Sequence, residues 1–170
     1  MFSTVTSIGM LGMHSYIVDI EADIAMGKSR FDIVGLPDAA VSESRDRVRA
    51  AMKNSGFDFP QVHITVNLAP ADIRKEGPIY DLPICIGLLA SSEQLRASLS
   101  DYAFLGEIAL SGELRPIEGA LPMAIALAEH GVKNLILPIE NAKEAEELAM
   151  SVEDNGGVYF VPAFAGLPNG

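Results

Sequence analysis

The stretch Gln61–Leu95, QVHITVNLAPADIRKEGPIYDLPICIGLLASSEQL, most narrows what this chain can fold into. Val62, Ile64, Val66 and Leu68 alternate with His63, Thr65 and Asn67, the period-2 signature of a strand with one buried face. Pro70 stops the strand, because proline has no N–H to give to a ladder. Asp72, Arg74, Lys75 and Glu76 then place four charges in five residues ahead of Gly77-Pro78. That composition predicts a solvated, mobile loop that continues neither strand nor helix. From Leu82 to Ala90 the chain is almost wholly apolar, with Asp81 placed to cap and Pro83 in the first turn, which predicts a buried helix. A strand, a charged loop and a buried helix in this order present the loop over a rigid core. Loops so placed carry much of binding function, which makes Asp72, Arg74 and Lys75 candidate partner contacts.

Before this stretch, Thr4–Met10 and Ser15–Ile24 read as two strands turning at Gly12, and Phe31, Ile33 and Val34 as a third that ends at Gly35-Leu36-Pro37. The opening is expected to be a β-meander. Asp38 follows as an N-cap, and Val41, Val48, Ala51 and Met52 form one apolar stripe of a helix that Gly56 ends. The other face carries Glu43, Arg45, Asp46, Arg47, Arg49 and Lys53, the densest cationic cluster in an acidic chain. Mixed charge of this kind is a solvated helix face. Arg45, Arg47, Arg49 and Lys53 are also candidates for docking on an acidic partner or a phosphate backbone.

Beyond Leu95, Tyr102–Leu110 and Glu113–Ile117 flank Ser111-Gly112 as a hairpin. Leu121–His130 is a helix ended by Gly131, and Val132–Leu137 a buried strand. Asn141 and Glu144 resemble a capping box for a helix over Ala142–Met150, and Val158–Val161 is a last strand. Strands first, then strands alternating with helices, give a two-layer α+β or α/β domain over 1–162. The tail 163–170 reads as the start of a linker.

The 170 residues carry a formal net charge of −11, which argues against nucleic-acid contact by the domain as a whole, since phosphate affinity comes from Lys and Arg. The single cysteine, Cys85, sits in the apolar helix, so no intrachain disulfide forms; this fits a reducing, cytoplasmic setting. No apolar stretch approaches membrane-spanning length. Gly27-Lys28-Ser29 ends like a phosphate-binding loop, but the first glycine of that motif would fall on Ala22 and the segment lies between two strands, so a turn is expected. His14, His63 and His130 have no metal-ligand spacing.

Two blocks, IVGLPDAAVSESRDRVRAAM and ITVNLAPADIRKEGPIYDLPICIGLL, resemble the N-terminal domain of the magnesium chelatase-like AAA+ ATPases, the ComM/YifB family. The resemblance covers nearly the whole chain. It implies a Lon proteolytic-domain-like fold, akin to the second domain of a ribosomal small-subunit protein. It also implies an ATPase module after the linker that would use ATP and magnesium and form a hexameric ring with neighbouring subunits. DNA would be a substrate of the intact protein, and no membrane is involved.

The segment GEIALSGELRPIEGALPMAIALAEHGVKNLILPIENAKEAEEL resembles the second half of Lon-type proteolytic domains, which use a serine activated by a lysine. In that family the serine follows a Gly-Pro pair, whereas Gly77-Pro78 is followed here by Ile79. The segment matching the turn before the lysine, Pro116–Pro122, holds no lysine. Isoleucine and leucine neither attack a carbonyl nor accept a proton. The expectation is therefore a non-catalytic accessory domain with no cofactor or metal of its own. Two alternatives stand beside it. One is a peptidase with a displaced dyad drawn from Ser91, Ser92 or Ser111 and Lys75 or Lys133. The other is a component of a chelatase complex.

Overall fold

The computed structural model describes residues 1–149 and 159–163. The sequence expectations for residues 150–158 and 164–170, including most of the linker, fall outside the described residues. The chain forms β1 (Phe2–Leu11), β2 (His14–Ala25), β3 (Arg30–Val34), α1 (Ala39–Ser42), α2 (Ser44–Asn54) and β4 (His63–Ala69). It continues with a 3-10 turn (Pro78–Tyr80), α3 (Asp81–Ser91), β5 (Tyr102–Phe104), β6 (Glu107–Ile108) and β7 (Leu114–Arg115). The last elements are α4 (Ala120–Glu129), β8 (Asn134–Pro138), α5 (Ile139–Ala149) and β9 (Tyr159–Ala163). Ala163, expected in the linker, therefore ends a strand.

Seven strands form one mixed sheet in the order β3-β4-β2-β1-β5-β8-β9. β1 and β2 make a long antiparallel hairpin, registered from Phe2 opposite Asp23 to Leu11 opposite His14. Gly12 turns it with φ +62, a conformation cheap for glycine alone. The expected meander stops there. β4 enters between β2 and β3, antiparallel to the first and parallel to the second. The reason is visible in β4, whose Ile64, Val66 and Leu68 are fully buried, each worth about 1.5–3 kcal/mol. Such a strand belongs inside a sheet, leaving the five-residue β3 at the edge.

Helices cover the sheet unequally. α1, α2 and α3 pack on one face through Val41, Val48, Met52, Ile84 and Leu88 against Val5, Val18, Ile20, Ile64 and Val66. Along β1, β5 and β8 the other face is covered too: Ile8, Ala103, Leu105, Leu135 and Leu137 pack with Met123, Ala124 and Leu127 of α4 and Ala142 of α5. The two-layer arrangement thus holds over β3 and β4, and a third layer is added along β1, β5 and β8, where α4 and α5 lie.

Two expected features take different forms. The hairpin around Ser111-Gly112 shrinks to the two-residue strands β6 and β7, while β5 joins the main sheet. Asn141 is not a cap: α5 begins at Ile139, and the Asn141 amide instead grips Ile117 from both sides, accepting from its N–H at 2.8 Å and donating to its carbonyl at 2.9 Å.

Candidate functional site

α2 carries three of its cations outward and one inward. Arg45, Arg49 and Lys53 recur every four residues, so they share one stripe of the helix. Arg45 and Lys53 are exposed, and Arg49 is partly covered with its guanidinium 5.1 Å from the centre of the Phe59 ring. Arg47, grouped with them in the sequence, faces the protein instead.

Arg47 reaches Asp81, the first residue of α3, through Nε at 2.7 Å from Oδ2 and Nη2 at 3.0 Å from Oδ1. Asp81 is fully buried, and it also accepts from the Ser44 hydroxyl and from the Ile108 N–H at 3.1 Å. These four bonds tie α2, α3 and β6 at one point. They also correct the expected role of Asp81, whose carboxylate caps no helix: the residue preceding α3 is Tyr80, and it makes no side-chain cap bond. The hydrogen bonds that Arg47 donates to Asp81 raise the guanidinium pKa above its already high value. An apolar run preceded by a lone carboxylate was the available sequence signal, but Ser44, 37 residues away, gave none.

The charged loop differs most from expectation. Lys75 is fully buried. Its Nζ donates to the Gly35 carbonyl at 2.9 Å and to the Pro70 carbonyl. Its backbone bridges Pro37, accepting from the Asp38 N–H at 3.0 Å and donating to the Leu36 carbonyl at 3.0 Å. Burial pushes the pKa of the ammonium below the ordinary lysine value, an effect Asp72 partly opposes. Asp38 completes the clasp, accepting from Val41 N at 2.8 Å as the expected N-cap and from Gly77 N at 3.1 Å. The Tyr16 hydroxyl donates to the Arg74 carbonyl at 3.1 Å. The loop is therefore pinned at both ends, leaving Asp72, Arg74 and Glu76 exposed on its outer side. Arg74 and Glu76 approach to 3.8 Å, an exposed pair of the kind worth little.

Other sequence candidates fall in ordinary places. Gly27-Lys28-Ser29 is the turn between β2 and β3. Ser91 donates to the Ala22 carbonyl at 3.1 Å, Ser92 to the Leu88 carbonyl at 2.7 Å, and Ser111 Oγ accepts from Glu113 N. Among the described residues no hydrogen bond joins a serine to a lysine, and no group of three His, Cys, Asp or Glu side chains could hold a metal ion. His63 lies 3.3 Å from Asp32, which also pairs with Arg30, and His130 caps α4 with its ring against the Ala126 carbonyl. Burial, with a smaller contribution from Asp81, pushes the Cys85 thiol up to about 12. Among the described residues no helix is long and apolar enough to cross a membrane.

With this geometry in place, comparison decides the family. The profile for ChlI, a subunit of Mg-chelatase, matches residues 20–141 and so spans the Arg47–Asp81 junction and the Lys75 loop. The chain belongs to that family. It is 47% identical over 142 residues to the competence protein ComM of Haemophilus influenzae, covering 83% of this chain and 28% of ComM. It is 50% identical over 135 residues to YifB of Salmonella typhimurium, covering 79% of this chain and 26% of that protein. A weaker likeness, 27% over 145 residues, links 81% of this chain to 18% of Lon protease 1 of Hydrogenovibrio crunogenus. The chain thus spans about a quarter of the length of ComM and YifB.

Proposed function

We propose that this chain is the non-catalytic N-terminal accessory domain of a cytoplasmic Mg-chelatase-like AAA+ ATPase that processes DNA, as in competence and recombination. The observation that carries the reading is its near-half identity to ComM and YifB over only about a quarter of their length. The remainder of such a protein would hold the ATPase, with ATP and magnesium, and assemble as a ring. The arrangement of the Lon-like parts supports an accessory role. Ile79 stands after Gly77-Pro78 where a nucleophile would be needed, and Lys75 spends its ammonium on two carbonyls. The residues left facing outward are binding groups: the α2 stripe and the outer side of the Asp72–Glu76 loop.

The test compares the intact protein with a version lacking residues 1–162. ATP hydrolysis dependent on magnesium is expected in both, and processing of branched DNA only in the intact protein. Hydrolysis of ATP or of an unfolded protein substrate by the 170-residue chain alone would sink the reading.

A further inference from the structure

Between α2, α3 and the β6–β7 hairpin lies a cleft of about 320 Å³. Met52 of α2, Cys85 and Leu89 of α3, Leu95, and Ile108 and Leu114 of the hairpin line it. Among the described residues, none that lines it carries a charge. Packed elements ordinarily close such a space, because apolar walls without neighbours forgo their dispersion contacts. A cleft of this size therefore needs something to hold it open.

The hairpin is what holds it. Its base is fixed by the Ile108 N–H, which donates to the buried carboxylate of Asp81 at 3.1 Å. Its tip is fixed at the end of α2, where the Asn54 side chain donates to the Leu110 carbonyl at 2.7 Å. Gly112 packs so closely there that a Cβ on it would stand 2.2 Å from the Ser55 Oγ. Clamped at both ends by polar contacts, the hairpin arches over the apolar walls instead of sinking between them. Ser55 is also the one lining residue with a hydroxyl, and among the described residues that hydroxyl has no hydrogen-bond partner.

Size and polarity together name the occupant. One turn of helix, about 10 Å across and about 5.4 Å long, already fills about 420 Å³, so the cleft is too small for a partner helix. A cavity of about 150 Å³ lined by Leu, Ile and Phe holds benzene, so this one has room for about two rings. Walls without a charge reject ions, whose water they do not replace. We propose that the cleft beneath the β6–β7 hairpin binds a small, uncharged, apolar molecule of about two rings that carries one hydroxyl or carbonyl group, with the Ser55 hydroxyl as its hydrogen-bond partner. Apolar walls with few polar groups, enclosing about 300–1,000 Å³, are the usual form of a small-molecule site. The proposal goes beyond the accessory-domain reading and stands without it, because it uses neither a following ATPase module nor DNA. An occupant would also press on Ile108, whose N–H holds Asp81, and so bear on the junction of α2, α3 and β6.

The experiment follows the methionine methyl resonances of the 170-residue chain by NMR while 1-naphthol is added. Met52 lines the cleft, and Met123 lies in the core on the other face of the sheet. Met52 should shift saturably, with half-saturation below about 1 mM, while Met123 stays still. The 1-naphthoate anion should bind at least about tenfold more weakly. Ser55→Ala should weaken 1-naphthol about three- to tenfold, the worth of one hydrogen bond. Ile86→Trp, from a half-buried position on the wall, should fill the cleft and weaken binding about tenfold or more. An unmoved Met123 resonance shows that this variant folds, and Leu114→Trp fills the cleft from the roof if it does not. The proposal is overturned by a Met52 that never saturates, by equal shifts at Met52 and Met123, or by naphthoate binding as well as naphthol. It is overturned equally by Ser55→Ala or a folded filling variant that binds like the parent. A leucine-rich helical peptide that shifts Met52 at a lower concentration than 1-naphthol would assign the cleft to a protein partner and overturn it too.

Discussion

Replacing Arg47 by Met tests whether the buried carboxylate of Asp81 organises the junction of α2, α3 and β6. Asp81 has no exposure and accepts four hydrogen bonds, two of them from the Arg47 guanidinium. Arg47→Met removes those two charge-assisted bonds, each worth about 1.5–3 kcal/mol, and leaves a charge that cannot reach water. The expected loss is about 3–5 kcal/mol, the range for breaking a buried pair from one side. Asp81→Leu should cost a comparable amount for a different reason, because it strips the buried Ser44 hydroxyl and Ile108 N–H of their acceptor, at about 1–3 kcal/mol each. Arg47 keeps a side-chain exposure of 17% and retains Glu43 at 3.5 Å and the Ala40 carbonyl at 2.7 Å, so its freed charge still finds partners and solvent. The double variant removes both charges, which is often near neutral for a whole buried pair, so it should be no less stable than Asp81→Leu and its remaining loss should be that of the Ser44 hydroxyl and Ile108 N–H left without an acceptor. Urea unfolding measures all three. With a slope of about 2 kcal/mol per molar, Arg47→Met should lower the midpoint by about 2 M while the slope stays constant. A loss under about 1 kcal/mol for Arg47→Met, or a double variant less stable than Asp81→Leu, would refute the reasoning, since both contradict a carboxylate that depends on its partner.

Lys75 gives a pH signature. Its folded pKa lies below the ordinary value, so between the two the unfolded chain holds more protons and stability rises with pH. Compared with Lys75→Met, the parent should therefore gain stability on approaching about pH 10.4, the ordinary lysine value. The difference between their urea midpoints from pH 7 to 10 measures this, and a parent that instead loses ground to the variant would contradict the assignment. Gly35→Ala should cost about 2–6 kcal/mol, adding backbone strain to a clash: Gly35 has φ +101, and a Cβ there would stand 2.3 Å from the Leu68 carbonyl oxygen. Thermal unfolding followed by circular dichroism would show it, and an unchanged melting point would mean that β4 can move aside.

The elements legible from sequence were those written in short-range patterns. The β1–β2 hairpin, the Asp38 cap, the α2 stripe of Val48, Ala51 and Met52, and the alternation of β4 depend on neighbours within a turn or a strand. What was missed depends on residues far along the chain. Four charges in five residues describe a solvated loop, and three of them obey; Lys75 does not, because carbonyls of Gly35 and Pro70 replace its water. Likewise Arg47 looks like its neighbours on α2 until Asp81, 34 residues later, turns it inward. The position of β4 between β2 and β3 has the same origin. Three consecutive strands read as a meander, and only the burial of both neighbours' apolar faces selects the inserted order.

That inserted strand also sets an order of events during synthesis. Val18, Ile20 and Ala22 of β2 are buried in the finished protein, yet the strand that flanks them runs from His63 to Ala69 and the helix that covers them from Asp81 to Ser91. β1 waits longer still, since its other neighbour begins at Tyr102. A chain that has only reached Asn54 holds a hairpin and a helix with their apolar faces open, the kind of partly formed surface that aggregates or recruits chaperones. Residues 1–54 are therefore the part of this domain whose apolar faces stay open until the ribosome has delivered α3.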